Sequence, residues 1–255
     1  MIVGKLKYVM GLTKNYSNWV DIIISRIFNR PIRKVVLKNG ITIVGGELST
    51  VIDIVDEVFI RKVYTPSYLS IKPSDTVVDI GANIGIFSLY SALQGANRIF
   101  SIEPLKGNLR FITNNFTSNS LTPPFLINVA ITKDNGTSKL YLPGQDSHGM
   151  LFDYINGHKI TKFQTVRGIK FGDLLKRYNL RKIDFLKIDC EGGEGFIFSN
   201  SNKNDWNGVK KISIEYHDSV SILNHNKIIR KLSQYGFKTR LMKSDETYGY
   251  IYAWK

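Results

Sequence analysis

The chain has a single cysteine, Cys190, among 255 residues, so no disulfide can close within it. Its four histidines show no zinc spacing. Acids could hold a hard cation only where three or more converge, which the sequence does not show, and no metal is expected. No apolar stretch approaches the length of a membrane span, and the opening MIVGKLKYVMGL is too short in its apolar run for a signal peptide. A cytoplasmic location is therefore expected. Internal repeats and low-complexity tracts are absent. Acids are scarce beside bases, 21 against 35, which leaves a formal net charge of +14. At 43% hydrophobic, a chain of this length can bury the core of one α/β domain with an N-terminal extension.

Glycine is missing where a dinucleotide site would need it. In TVVDIGANIG, Thr76 to Gly85, the run Val77, Val78 and Ile80 reads as a strand covered on both faces, and Ile84 to Leu93 continues with helical spacing. A ligand would sit beyond the strand's carboxyl end, in the crevice of a doubly wound sheet. The G-x-G-x-x-G fingerprint lets backbone touch a pyrophosphate and a helix pack close, but its places hold Gly81, Asn83 and Ile86. Asn83 puts a side chain where the phosphate would press, and Asp79 adds a carboxylate nearby. A cationic ligand without phosphate suits this turn, and S-adenosylmethionine, a sulfonium with an ammonium group, is one. The alternative is that Gly81 and Gly85 only make a tight strand-to-helix turn.

The next strand, Asn97 to Ile102, ends at Glu103, 24 residues after Asp79. An acid at about that spacing accepts hydrogen bonds from ribose hydroxyls. Pro104 is expected to start a helix whose buried stripe is Leu105, Leu109, Ile112 and Phe116.

VFIRKVY, DTVVDIGANIGIFSLY, IEPLKGNLRFITNN, LINVAITKDNGTSKLYL and IDFLKIDCEGGE follow one another between Val58 and Glu194. In this combination the chain resembles the FkbM family of class I S-adenosylmethionine-dependent methyltransferases. The resemblance implies a mostly parallel, seven-stranded sheet with one antiparallel edge strand, and methyl transfer, commonly to a hydroxyl of a sugar, polyketide or other small metabolite. It implies that Gly81, Ala82, Asn83 and Gly85 line the methionine part of the cofactor, with Asp79 nearby. Glu103, beside Pro104, would take the ribose, and Val129 and Ala130, at the end of the third strand, would lie near the adenine. Tyr64 would cover the methionine end or serve as a core aromatic. Asn108 would lie on the surface or one layer behind the site.

The chemistry is placed in IDFLKIDCEGGE. A strand from Ile183 to Ile188 delivers Asp189 and Glu191 to the end of the sheet that holds Asp79 and Glu103. Methyl transfer from a sulfonium is an in-line displacement, so a base is needed only while the acceptor keeps its proton. Asp189, which also borders the cofactor, is the first choice for that base and Glu191 the second. His217, ending a strand from Lys211 to Tyr216, is the third, unless it is only a hydrogen-bonded rim residue. Lys187 would pair with a carboxylate, and Glu194 reads as a first-turn helix acid. Cys190 reads as a small core residue facing away from Asp189 and Glu191. His148, in GQDSHGM, either touches substrate or is only loop. Thr122-Pro123-Pro124-Phe125 imitates an amino-methyltransferase signature but precedes the third strand, and reads as a loop. The stretch from Leu142 to Thr165, with Phe152, Tyr154 and Phe163, is a candidate lid.

Before Glu47, eight basic residues oppose only Asp21, giving +7, half of the total charge. There Trp19, Val20, Ile23, Ile24, Ile27 and Phe28 share one broad helical face stopped by Pro31, and KVVLKNGITIV reads as a hairpin turning at Asn39-Gly40. Such a helix lies on an anionic membrane, docks a partner, or packs on its own domain, the commonest outcome. The division expected is 1–60 for this extension and 61–255 for the methyltransferase domain. Near the end, Asp218 is expected to cap a helix bearing Ile222, Leu223, Ile228, Ile229 and Leu232, followed by strands Phe237 to Met242 and Tyr248 to Trp254. The expected acceptor is a sugar, glycan, lipid-linked or other small-molecule hydroxyl. The rival is an RNA methyltransferase or RNA-binding protein using the basic surface.

Overall fold

The computed structural model describes residues 2–28, 34–45, 48–142, 149–155 and 158–255. Pro31 and His148 lie outside them. Short β-branched runs alternate with amphipathic stretches, and the chain builds helices α1 (Ile2–Asn15), α2 (Trp19–Ile27), α3 (Leu48–Val55), α4 (Ile86–Leu93), α5 (Lys106–Thr117), α6 (Phe171–Arg177), α7 (Glu194–Ser199) and α8 (His225–Gln234). A π-helical turn, Asp56–Ile60, extends α3. The strands are β1 (Lys34–Val36), β2 (Thr42–Val44), β3 (Thr76–Ile80), β4 (Arg98–Ile102), β5 (Phe125–Ile127), β6 (Ala130–Ile131), β7 (Gly136–Tyr141), β8 (Tyr154–Ile155), β9 (His158–Lys159), β10 (Phe163–Ile169), β11 (Ile183–Ile188), β12 (Val209–His217), β13 (Lys238–Lys243) and β14 (Tyr248–Trp254).

Seven strands form the main sheet in the order β13-β14-β12-β11-β3-β4-β5. Only β14 runs against the rest, antiparallel to both β12 and β13. The antiparallel strand thus lies one place in from the edge expected for it, because the β13–β14 hairpin folds its second strand back between β13 and β12. Side chains alternate between two cores: Val77, Ile99 and Phe185 enter one, and Val78, Phe100 and Leu186 the other. The strand order reverses between β3 and β11, which opens the crevice at their carboxyl ends.

The extension packs into the first of those cores. Leu12, Tyr16, Ile22, Val35 and Ile43 join Phe87 and Ile112 there, and Asn115 of α5 accepts from the Val44 amide at 2.6 Å while donating to Ile84 at 2.8 Å. The β1–β2 hairpin turns at the expected place, with Gly40 at φ +87°. The apolar face predicted for α2 is not the one that packs: Ile22 and Ser25, outside it, are buried, whereas Trp19 and Ile23 are half-buried and Val20, Ile24, Ile27 and Phe28 exposed. No helix among the described residues is long and apolar enough to cross a membrane.

Several boundaries differ from expectation for local reasons. Helix α5 begins at Lys106, two residues after Pro104, because the Glu103 carboxylate accepts from the Leu105 amide and holds Leu105 extended. Asn224, not Asp218, caps α8, accepting from Lys227 at 3.0 Å. Asp218 instead accepts from the His225 amide at 2.7 Å, so Ile222 and Leu223 precede the helix. Strand β5 stops at Ile127, and Ala130 opens β6, which joins β10 and β7 in a separate three-stranded sheet. The connection after Leu142 carries the β8–β9 hairpin, and Phe152 within it stacks on Phe196 at 5.6 Å. Pro123 and Pro124 lie in the loop before β5, as the reading of that segment expected.

Candidate active site

Strand register builds the floor of the site. Ser101, Asp79, Lys187 and Ser213 are neighbours across four strands, so their side chains emerge on one face, and all four are buried. Asp79 accepts from Ser88 Oγ at 2.7 Å and lies 3.4 Å from Lys187 Nζ. Burial pushes its carboxyl up, against the pull of Lys187 and Ser88. The Lys187 ammonium also lies 3.0 Å from Asp189 Oδ2 and donates to the Gly81 carbonyl at 3.1 Å. Burial disfavours its charge, but Asp189 and Asp79 outweigh that and carry its pKa well above the usual lysine value.

The glycine turn is fixed by close approach. Gly81 sits at φ +76°, and a Cβ there would fall 1.6 Å from the Asp189 carbonyl oxygen, so only glycine lets the end of β3 pass the end of β11. Gly85, at φ +82°, faces Ile112 and lets α4 pack on α5. Asn83 holds a left-handed φ of +50°, and its amide donates to Glu103 Oε2 at 2.9 Å. Glu103 Oε1 accepts from the Leu105 amide at 2.9 Å and from Asn108 Nδ2 at 3.2 Å. Asn108 therefore lies one layer behind the site. Burial pushes the Glu103 carboxyl up to about 7, although these three donors pull the other way.

A cavity of about 170 Å³ follows the carboxyl ends of β3, β4 and β11. Glu103, Pro104, Val129 and Ala130 line one end with apolar neighbours Ile131 and Leu140. Gly81, Ala82 and Asn83 line the middle. Tyr64, Asp189, Glu191, Glu215 and Glu57 line the other end, with Lys187 beneath. Three residues expected at the site do not reach this wall. Asp79 lies under it behind Lys187, Gly85 is turned to α5, and His217 stands behind Glu191 and Glu215. Cys190, expected in the core, touches both core and cavity, and burial pushes its thiol well up, which favours the protonated form.

His217 Nδ1 lies 3.3 Å from Glu194 Oε1, and its Nε2 lies 3.7 Å from both Glu191 and Glu215. Glu194 begins α7, but its fully buried carboxylate folds back to accept from the Cys190 and Gly192 amides, each at 3.2 Å. Burial lowers the imidazole's pKa, yet the carboxylates of Glu194, Glu215 and Glu191 push it up to about 12. An imidazolium has no lone pair to take a proton, which counts against the base role expected of His217.

The Tyr64 hydroxyl donates to Glu215 and lies 3.0 Å from Asp189 Oδ2. Burial opposes ionisation of Asp189, but Lys187, His217 and Tyr64 hold its carboxyl below the usual range. Glu191 differs. Its backbone sits in the left-handed region at φ +50°, and burial pushes its carboxyl up to about 7 while His217 opposes. Glu57, also pushed up to about 7 by burial and by Glu215, closes the facing side. Glu215 and Glu57 were not foreseen. Strand alternation in ISIEYH, which puts Glu215 on the face of His217, was the available signal for the first.

A family model described as the methyltransferase FkbM domain matches residues 79–239. The chain belongs to the FkbM methyltransferase family. It is 21% identical over 232 residues to the 31-O-demethyl-FK506 methyltransferase FkbM of Streptomyces tacrolimicus, covering 79% of this chain and 87% of that protein. It is 36% identical over 70 residues to the antimetabolite synthetase AmbE of Pseudomonas aeruginosa, where it spans 27% of this chain but 3% of that protein. The crystal structure of an FkbM methyltransferase from Methylobacillus flagellatus matches with a TM-score of 0.51 at 17% identity, over 78% of this chain and 47% of that one, which supports the fold. S-adenosylmethionine is the cofactor of the FkbM domain, and the donor set here fits it. Glu103 is a buried, anchored carboxylate that could accept from a ribose, apolar side chains line the cavity beside it, and the Asp189 carboxyl, held below the usual range, lines it near Tyr64.

Proposed function

We propose that the chain methylates a hydroxyl of a small-molecule, glycan or lipid-linked acceptor. The observation that carries this is Glu191, a cavity-lining carboxylate near neutral pKa on a strained backbone, beside an Asp189 that Lys187 keeps ionised. A base for a hydroxyl works best when its pKa lies near the working pH. Asp189, whose proton affinity is depressed, would be the poorer base, so this reading puts Glu191 ahead of it.

When bound, S-adenosylmethionine supplies a methyl group on a sulfonium. Glu103 would hold the ribose hydroxyls, Val129 and Ala130 would border the adenine, and Asp189 with Tyr64 would hold the cationic methionine end. Glu191 would take the acceptor's proton as the new O–C bond forms and the C–S bond breaks. His217, held by Glu194, would keep Glu191 and Glu215 oriented without touching the acceptor. The Streptomyces relative's name specifies an oxygen at its methylation site, which agrees with a hydroxyl acceptor. The RNA reading is not taken further, because Glu57, Asp189, Glu191 and Glu215 line the cavity and would repel phosphates.

The test is methyl transfer from labelled S-adenosylmethionine into cell extract, fractionated into small molecules, glycans, lipids and RNA. Label in a non-nucleic-acid fraction, as a methyl ether by mass spectrometry, supports the reading. Label confined to RNA, or in methylamines, contradicts it.

A further inference from the structure

Helix α2 presents apolar side chains away from the domain. Successive helical residues turn by about 100°, so Val20, Ile24 and Ile27 fall on one stripe, opposite the buried Ile22 and Ser25. Their relative exposures are 47%, 42% and 69%. Met10 on α1 is exposed as well, and α1 is tied to α2 by the Arg26 guanidinium 4.6 Å above the Tyr8 ring. Single exposed aliphatic residues are ordinary, but a continuous row on one helix means an occupant.

The charge of this segment chooses that occupant. Residues 1–46 carry eight Lys and Arg against one acid. Lys14, Arg26, Lys34 and Lys38 are all exposed, and Asn18, just ahead of α2, bonds the Lys34 carbonyl and the Val36 amide, which keeps β1 beside the helix. A second copy would bring Lys14, Arg26, Lys34 and Lys38 against their like, and three side chains fall far short of the roughly 1,600 Å² a stable protein interface buries. RNA would take the cations but leave the aliphatic row in water. An anionic bilayer satisfies both: headgroups meet the cations, and the row enters the acyl boundary.

We propose that the α2 face seats this protein on an anionic membrane surface. The inference is independent of the acceptor reading, since it concerns a face that lines no part of the cavity.

The test is co-sedimentation of the full chain with phosphatidylcholine vesicles, with and without phosphatidylglycerol, for the wild type and Ile24→Gln/Ile27→Gln. Both positions are exposed, and an unchanged melting temperature will certify the variant's fold. The expected result is binding to the anionic vesicles only, weakened by at least about tenfold in the variant and reduced by salt. No vesicle binding, or binding that the variant retains in full, overturns the proposal. Sedimentation velocity runs alongside: a dimer that the variant dissolves would assign the face to a second copy and overturn it as well.

Discussion

Lys187 Nζ lies 3.0 Å from Asp189 Oδ2, two residues along the same chain, with the ammonium almost wholly closed from solvent. The pair fixes a negative charge at the cavity while Asp79, 3.4 Å from the same ammonium, is neutralised beneath. Lys187→Met would leave two carboxylates beside an apolar chain. Breaking such a buried pair costs about 3–5 kcal/mol, a fall of roughly 10 °C in melting temperature for a chain of this size. Adding Asp79→Asn should recover part of that fall, and thermal denaturation of the wild type and both variants checks it.

Glu191 with a pKa of about 7 makes activity depend on pH in a stated direction. A base acts when deprotonated, so kcat/KM should rise through about pH 7 and then level. Glu191→Gln should remove that limb and lower kcat by about 10²–10⁴-fold. Asp189→Asn, by contrast, should weaken cofactor binding while the limb persists. A pH–rate profile on each variant separates the two.

The raised pKa of His217 has a stability consequence. Its folded value near 12 exceeds the unfolded one of about 6.5, so its contribution is complete below pH 6.5 and is lost as pH climbs toward 12. The melting-temperature gap between wild type and His217→Gln should therefore be widest near pH 6 and shrink through pH 9. Losing the imidazolium also removes the cation facing Glu191, which should move the rate profile to higher pH.

Glu103 behaves in the opposite functional sense. Burial raises its carboxyl to about 7, so the free protein loses stability as pH rises from about 4.3 to 7 and keeps that penalty above. Without ligand, Glu103→Gln should be more stable than wild type at pH 8, by about 1–3 kcal/mol, and no more stable at pH 4. Urea titrations at the two pH values measure this.

Gly81→Ala should not fold normally, since its Cβ would meet the Asp189 carbonyl at 1.6 Å. Loss of the cooperative melting transition checks that outcome. Gly85→Ala would press on the buried Ile112 side chain at 2.9 Å rather than on backbone, and although its φ of +82° also strains it, it should cost less than Gly81→Ala.

What the sequence made legible was what short-range pattern controls. The β-branched run of β3, the turn through Gly81 and Gly85, and the acid at Glu103 are local signals, and the structure assembles them at one crevice. Gly40 and the Asn39-Gly40 hairpin are legible for the same reason. The position of β14 was not, because a hairpin can insert on either side of its partner without changing its own alternation. Nor was the start of α5, where a carboxylate bond to the Leu105 amide overrides proline's usual place. The charge on His217 was the largest omission. It arises from Glu194, folded back off α7, together with Glu215 and Glu191, and no single segment contains that arrangement.

Calorimetric titration with S-adenosylmethionine and with NAD, on wild type and Glu103→Gln, tests the cavity assignment most directly. The wild type should bind the sulfonium and ignore the dinucleotide, and the variant should lose at least about tenfold in affinity while keeping its fold. Equal affinity in the two proteins, or a preference for NAD, would contradict the account.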